Sequence, residues 1–200
     1  MTVHAASGSI LSHATADSSL GSAIRAASVA FAVALTAAAA QVTMPVPFTT
    51  VPFTLTPLAV LLSGAALGSR LGFLTQTAYL AAGIAGLQVF APSVVLPPGA
   101  ARLLGPTGGF LMAYPVAAFV TGWLAERGWD RRYLTSAAAM TIGLAVIFAG
   151  GLSWLTVAGY EPSLGAATAK DFVPFIVRDL AKVGVAAAIL PQAWRLLGKS

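Results

Sequence analysis

From Leu134 to Val157 the chain runs twenty-four residues without a charged side chain. That run constrains the fold more than any other feature. A helix rising about 1.5 Å per residue needs only about twenty apolar residues to cross the hydrocarbon layer of a bilayer. Comparable runs recur along the sequence, and none alternates with the period of two that a barrel strand requires. Lipid offers no hydrogen-bond partners, so helices are the spanning structure that remains. Composition agrees: 58% of the 200 residues are hydrophobic and 8% are charged, too few polar groups to coat a water-soluble surface. The sequence predicts an all-α integral membrane protein.

Punctuation divides the chain into six helices. Residues 1–22 are small and polar, contain both histidines, His4 and His13, and read as a mobile N-terminal tail; residues 23–200 form the six-helix membrane domain. The first helix runs from Arg25 to Ala40. A cleavable signal peptide would be shorter and carry its basic charge nearer the start. Pro45, Pro47 and Pro52 forbid regular helix before about Leu55. The second apolar run, Leu55 to Gly68, is therefore too short to cross alone, and the loop ahead of it is expected to dip into the membrane and line a cavity. A tight connection at Ser69 and Arg70 leads into the third helix, Leu71 to Phe90. The irregular stretch Ala91 to Gly109 precedes a fourth helix from about Phe110 to Leu124. A charged turn, Glu126 to Arg132, then leads to the fifth helix, Leu134 to Val157. A polar loop from Gly159 to Asp171 precedes the sixth helix, which ends near Leu190.

Six crossings place both termini on one side. Arg25, Arg70, Arg127, Arg131, Arg132, Arg195 and Lys199 fall on that side, against Arg102 and Lys170 on the other. The bias makes the termini cytoplasmic. The loops after helices one, three and five are the long ones, and they are expected to cover an outward-facing pocket.

The sixth helix carries the candidate site. At about 100° per residue Arg178 and Lys182 lie about 40° apart and Asp179 and Lys182 about 60°, so an arc of roughly 100° holds all three. A charge at membrane depth costs about 2.5 to 3.5 kcal/mol on insertion scales, so the trio is expected to face the protein interior. Its sum of +1 invites an anionic group such as a small carboxylate, and Asp179 adds an acceptor for N–H donors. The competing reading is that Asp179 and Lys182, spaced i,i+3, merely neutralise each other and tie helices together. Thr56, Thr107 and Tyr79 are candidate ligand contacts, against capping for the threonines and core packing for the tyrosine. On the first helix Ala26, Ala30, Ala34 and Ala38 recur at four-residue spacing, a stripe that suits either a docking partner or internal packing.

Other chemistries are excluded. The absence of cysteine removes disulfides, iron–sulfur clusters and thiolate zinc sites. The histidines lie in the tail away from any carboxylate cluster, so no metal site is expected. The GPTGG run lacks the lysine and spacing of a phosphate loop. No serine–histidine or paired-carboxylate arrangement suggests an enzyme. The formal charge of +5 falls at the ends of apolar runs, where it orients the chain, and does not point to nucleic acid.

Four stretches carry a family resemblance: VPFTLTPLAVLLSG followed by LGSRLG, YLAAGIAGLQVFA, LGPTGGFLMAY and FVPFIVRDLAKV. In that order and separation they resemble BioY, the biotin-binding S component of energy-coupling factor (ECF) vitamin transporters. The last stretch is similar to the family's FxPGDxxK pattern, which implies Asp179 and Lys182 as the binding acid and base; Val177 and Arg178 stand where the pattern has Pro-Gly. The resemblance implies a multi-pass protein of the bacterial plasma (inner) membrane that binds biotin and needs no cofactor. It also implies association with a transmembrane coupling subunit and two ATP-binding-cassette ATPases, with Ala26, Ala30, Ala34 and Ala38 as the docking face. The alternatives are an S component for another small vitamin or carboxylate, and a membrane scaffold that transports nothing.

Overall fold

Glycine and proline set the helix boundaries. In the computed structural model, residues 9–14, 21–44, 49, 51–93 and 98–196 are described; His4, Pro45, Pro47 and Lys199 lie outside the described residues. The helices among them are α1 (Ile10–Ala14), α2 (Gly21–Gln41), α3 (Thr56–Leu67), α4 (Ser69–Ile84), α5 (Ala101–Leu104), α6 (Gly108–Ala125), α7 (Tyr133–Val157), α8 (Leu164–Ala167) and α9 (Val173–Leu196). One turn of π-helix, Thr168–Phe172, leads into α9. α3 starts with Pro57 in its first turn, where a missing N–H costs nothing. Gly68, at φ 86°, separates α3 from α4 with a single residue, a backbone state that glycine adopts without strain.

Among the described residues there are nine helices where six were expected, the short α5 and α8 lying in stretches read as loop, and three further expectations need adjustment. The third helix does not reach Phe90: it ends at Ile84, Gly86 takes φ 96°, and the chain folds back along the bundle. The loop before α3 is not wholly irregular, because β1 (Thr43–Met44) pairs antiparallel with β2 (Phe53–Thr54), Thr43 opposite Thr54. Pro52 bars helix here, and the extended chain meets its backbone needs by pairing with itself. The stretch 1–22, read as a mobile tail, is partly built into the protein. α1 packs Leu11 against Ala32 and Leu67, and the Ser9 hydroxyl donates to the Leu67 carbonyl at 3.3 Å.

α6 is the central element and packs on α3, α4 and α7; α9 lies against α7 and α3, and α2 against α3 and α4. Small residues let the backbones meet. A Cβ on Gly64 would stand 2.4 Å from the Ala118 carbonyl oxygen, and one on Gly122 would stand 2.5 Å from the Gly68 carbonyl carbon. Such approach is the usual means of holding helices together where lipid supplies no hydrophobic drive. α2 is peripheral and packs inward through Ala32, Thr36 and Ala40. The Gln76 amide, fully buried on α4, donates to the hydroxyls of Thr36 and Ser63 and ties α2, α4 and α3 together.

Side-chain bonds sort the connections into two ends. At one end, here the turn end, Ser9 meets Leu67, Glu126 meets Ser69, and the Trp194 indole donates to Asp130 at 2.6 Å. At the other, the loop end, α2, α4 and α7 finish and α3, α6 and α9 begin. α2, α6 and α7 are long and apolar enough to cross a membrane. α9 is of similar length but carries Arg178, Asp179, Lys182 and Arg195, while α3 and α4 are shorter, at 12 and 16 residues.

At the turn end the Glu126 carboxylate accepts from the Ser69 backbone N–H at 2.8 Å and from its hydroxyl at 3.0 Å. It thereby caps α4 from a different element. Glu126→Ala is expected to lower stability by about 1 to 2 kcal/mol, and Glu126→Gln, which keeps an acceptor oxygen, by less. Denaturant midpoints in detergent check this; equal midpoints for all three proteins would remove the capping role.

Candidate functional site

A cavity opens among α3, α4, α6, α7 and α9 beneath the loop end. α9 supplies its acid and its base. Asp179 and Lys182 form an ion pair at 2.5 Å, and the same ammonium donates to the Thr54 carbonyl at 2.5 Å and stands 3.6 Å from the centre of the Phe53 ring. Asp179 is 3% exposed. Its Oδ1 is taken by Lys182; among the described residues no hydrogen bond engages its Oδ2. One carboxylate oxygen thus remains as an acceptor on the cavity wall.

Of the other residues expected in the site, Thr56, Thr107 and Tyr79 all line the cavity. Thr107 precedes α6 without making a capping bond. The Tyr79 ring is fully buried between Phe90 and Tyr114, and its hydroxyl donates to the Val89 carbonyl at 3.1 Å. Apolar walls come from Phe110, Leu144, Ile147, Phe148 and Phe175. The arrangement offers fixed hydrogen-bonding groups on an aromatic and aliphatic surface, the usual composition of a site that orients a small amphipathic ligand.

Arg178 is a correction. It is exposed, it does not line the cavity, and its guanidinium carbon lies 5.7 Å from the centre of the Phe53 ring on the outer side of α9. The reason is angular. Along the helix Lys182 sits between Arg178 and Asp179, and the full separation of about 100° between the outer two is too wide for one cavity wall. Burial follows that order, with Asp179 most enclosed, the Lys182 side chain 10% exposed and Arg178 outside. The expected sum of +1 therefore does not describe the cavity.

Two charged residues missed by the sequence reading take that place. Arg102, on α5 and 5% exposed, lines the cavity and donates from Nη2 to the Ala91 carbonyl. Asp171, in the π-turn and 2% exposed, also lines the cavity and accepts from the Thr49 hydroxyl, while its Oδ2 is buried with no hydrogen-bond partner among the described residues. Burial raises the Asp171 carboxyl above its ordinary pKa, opposed by the Thr49 hydrogen bond. Arg102 had left a signal, as one of only two basic residues on the side opposite the positive bias. Asp171 had left none, because it read as the last residue of a polar loop.

The four residues of the expected docking stripe, Ala26, Ala30, Ala34 and Ala38, are all exposed, on the side of α2 away from Ala32, Thr36 and Ala40.

The BioY family model matches residues 12–199. The chain belongs to the BioY family. It is 39% identical over 173 residues to the probable biotin transporter BioY of Pyrococcus horikoshii, covering 86% of this chain and 95% of that one. It is 40% identical over 148 residues to the biotin transporter BioY of Thermotoga maritima, covering 72% and 81%. The fold matches a solved structure of the S-component for biotin from an ECF-type ABC transporter with a TM-score of 0.80, over 89% of this chain and 94% of that one, at 22% identity. A BioY chain with, among its described residues, three helices long and apolar enough to span a bilayer is a membrane protein.

Proposed function

We propose that this chain is the biotin-binding S component of an ECF-type transporter and takes up biotin across the bacterial plasma membrane. The observation that carries this reading beyond family membership is the cavity wall itself: a buried acid–base pair beside aromatic side chains, with one carboxylate oxygen left to accept. Biotin has a cyclic urea with two N–H donors and one carbonyl, an apolar fused ring and chain, and a terminal carboxylate. The ureido N–H groups donate to Asp179, and Lys182 donates to an oxygen of the ligand once the vitamin replaces Thr54 in its shell. Thr56 and Thr107 add hydroxyls, and Tyr79 presents a wall. Arg102 supplies a second cation, which suits the end of the ligand that Lys182 does not hold.

In this reading α2, α3, α4, α6, α7 and α9 all cross the bilayer, both termini are cytoplasmic, and the loop end faces outward. α3 and α4 are short for a crossing, and the adjoining loops make up the depth while lining the cavity, as irregular backbone must at that level. The energising partners are a transmembrane coupling subunit and two ATP-binding-cassette ATPases. Ala26, Ala30, Ala34 and Ala38 form the face that receives the coupling subunit, supported by their exposure and by the different residues α2 uses inward.

Calorimetry of the purified protein against biotin, with desthiobiotin and unrelated vitamins as competitors, tests the reading. Saturable binding of biotin in preference to the other vitamins is expected. No heat with biotin, or equal heats with an unrelated vitamin, would overturn it.

A further inference from the structure

A second hollow lies beside the cavity at the loop end, and Phe90, Ala91 and Arg102 line both. These residues belong to the strap that follows α4, and the strap is held in an unusual way. Three consecutive carbonyls each accept from a different element: Val89 from the Tyr79 hydroxyl on α4, Phe90 from the Gln41 amide at the end of α2, and Ala91 from the Arg102 guanidinium on α5. Gln41 also reaches the Gln88 carbonyl at 3.4 Å. Side chains thus satisfy backbone that has left its helix, so the strap can be placed without secondary structure of its own.

The Phe90 ring fits a seat made by an absent side chain. A Cβ on Gly83 would stand 2.0, 2.3 and 2.5 Å from three atoms of that ring, closer than any real carbon contact. Tyr79 meets the same ring edge-on at 5.5 Å between centroids. The strap begins at Gly86, whose φ of 96° and open surroundings give the chain a pivot that no neighbouring atom obstructs. The ring is buried between two hollows on a segment fixed by a few side-chain bonds, and to swing it must give up its seat on Gly83 and its edge contact with Tyr79.

We propose that Phe90 is the door between the outer hollow and the binding cavity, and that Gly83 is its seat. A solute reaching the outer hollow passes into the cavity when the ring leaves Gly83 and the Gln41 bonds to the strap open. The cavity's wall on that side is then a moving part and a determinant of which solutes are retained. This rests on the reading of the cavity as the ligand site, so the test must separate the two.

The chain has no cysteine, which permits a clean probe. Leu144→Cys places one thiol on the cavity wall contributed by α7. The rate at which a water-soluble maleimide labels that thiol in lipid nanodiscs reports access. Adding Phe90→Ala is expected to raise the rate about ten-fold or more, and adding Gly83→Ala, which unseats the ring, is expected to raise it by a smaller factor. Leu152→Ala, a buried core change lining neither hollow, is the control for general loosening. Rates unchanged by Phe90→Ala, or raised equally by Leu152→Ala, overturn the door. Biotin is added in parallel to each protein. If Phe90→Ala speeds labelling while biotin protects none of the proteins, the door stands and the biotin reading falls; if biotin protects but the door variants label like the parent, the door falls alone.

Discussion

Lys182→Ala is expected to weaken biotin binding about ten-fold or more. The ammonium holds three things at once: Asp179 at 2.5 Å, the Thr54 carbonyl at 2.5 Å, and the face of Phe53 at 3.6 Å. Its removal leaves a carboxylate that is 3% exposed without its counter-charge, an arrangement that costs several kcal/mol or forces the acid to take up a proton. Either way the acceptor offered to the ligand's N–H groups is altered. Asp179→Asn is expected to cost a similar factor by a different route, since it keeps the shape but turns half of the acceptor into a donor. The pair together separates binding from folding. Replacing both partners, Asp179→Asn with Lys182→Met, removes the stranded charge and should recover stability relative to Lys182→Ala without recovering affinity. Calorimetry and denaturant midpoints on the same preparations read the two quantities. Unchanged titrations in both single variants would refute the site, and recovery of affinity in the double variant would reassign the pair to a structural role.

Ala30→Leu is expected to leave biotin binding within about two-fold of the parent and to weaken association with the coupling subunit about ten-fold or more. Ala30 is exposed on the side of α2 that the bundle does not use, so a larger side chain there displaces nothing inside the protein. If the stripe receives a partner helix by close backbone approach, as proposed, the extra carbons hold that helix away along its length. Co-purification with an energising module, quantified beside calorimetry on the free subunit, checks both halves. Impaired biotin binding with intact association would overturn the assignment of the stripe.

The sequence exposed the helical class and several boundaries of the long helices because those boundaries are local. Pro52 and Pro57 mark the start of α3, Gly68 the break before α4, and the cluster from Glu126 to Arg132 the turn before α7, each through a constraint on its own backbone. The end of α4 escaped because the residues past Ile84 remain apolar. Only the φ of Gly86 and the fit of Phe90 against Gly83 fold them back, and both depend on what lies across the bundle.

The site divides the same way. Asp179 and Lys182 were legible because charge within an apolar helix is costly wherever it points, and helical spacing puts them on one side. Arg178 was misplaced because spacing gives relative angles and does not say where the cavity's edge falls. Arg102 and Asp171 reach the cavity from α5 and the π-turn, 77 and 8 positions before Asp179 in the chain. Nothing in their immediate neighbourhoods announces that convergence; it arises from tertiary packing alone.

Gln41 closes α2 and grips the backbone of Gln88 and Phe90. A partner docked on α2 that shifted the helix along its axis would therefore tug on the strap that lines the cavity, with no separate relay in between. Thermodynamic reciprocity runs the lever in both directions: by whatever factor the partner changes the grip on the vitamin, a loaded chamber changes the grip of α2 on the partner by that same factor. An empty subunit and a full one would then differ in how tightly α2 holds whatever docks on it.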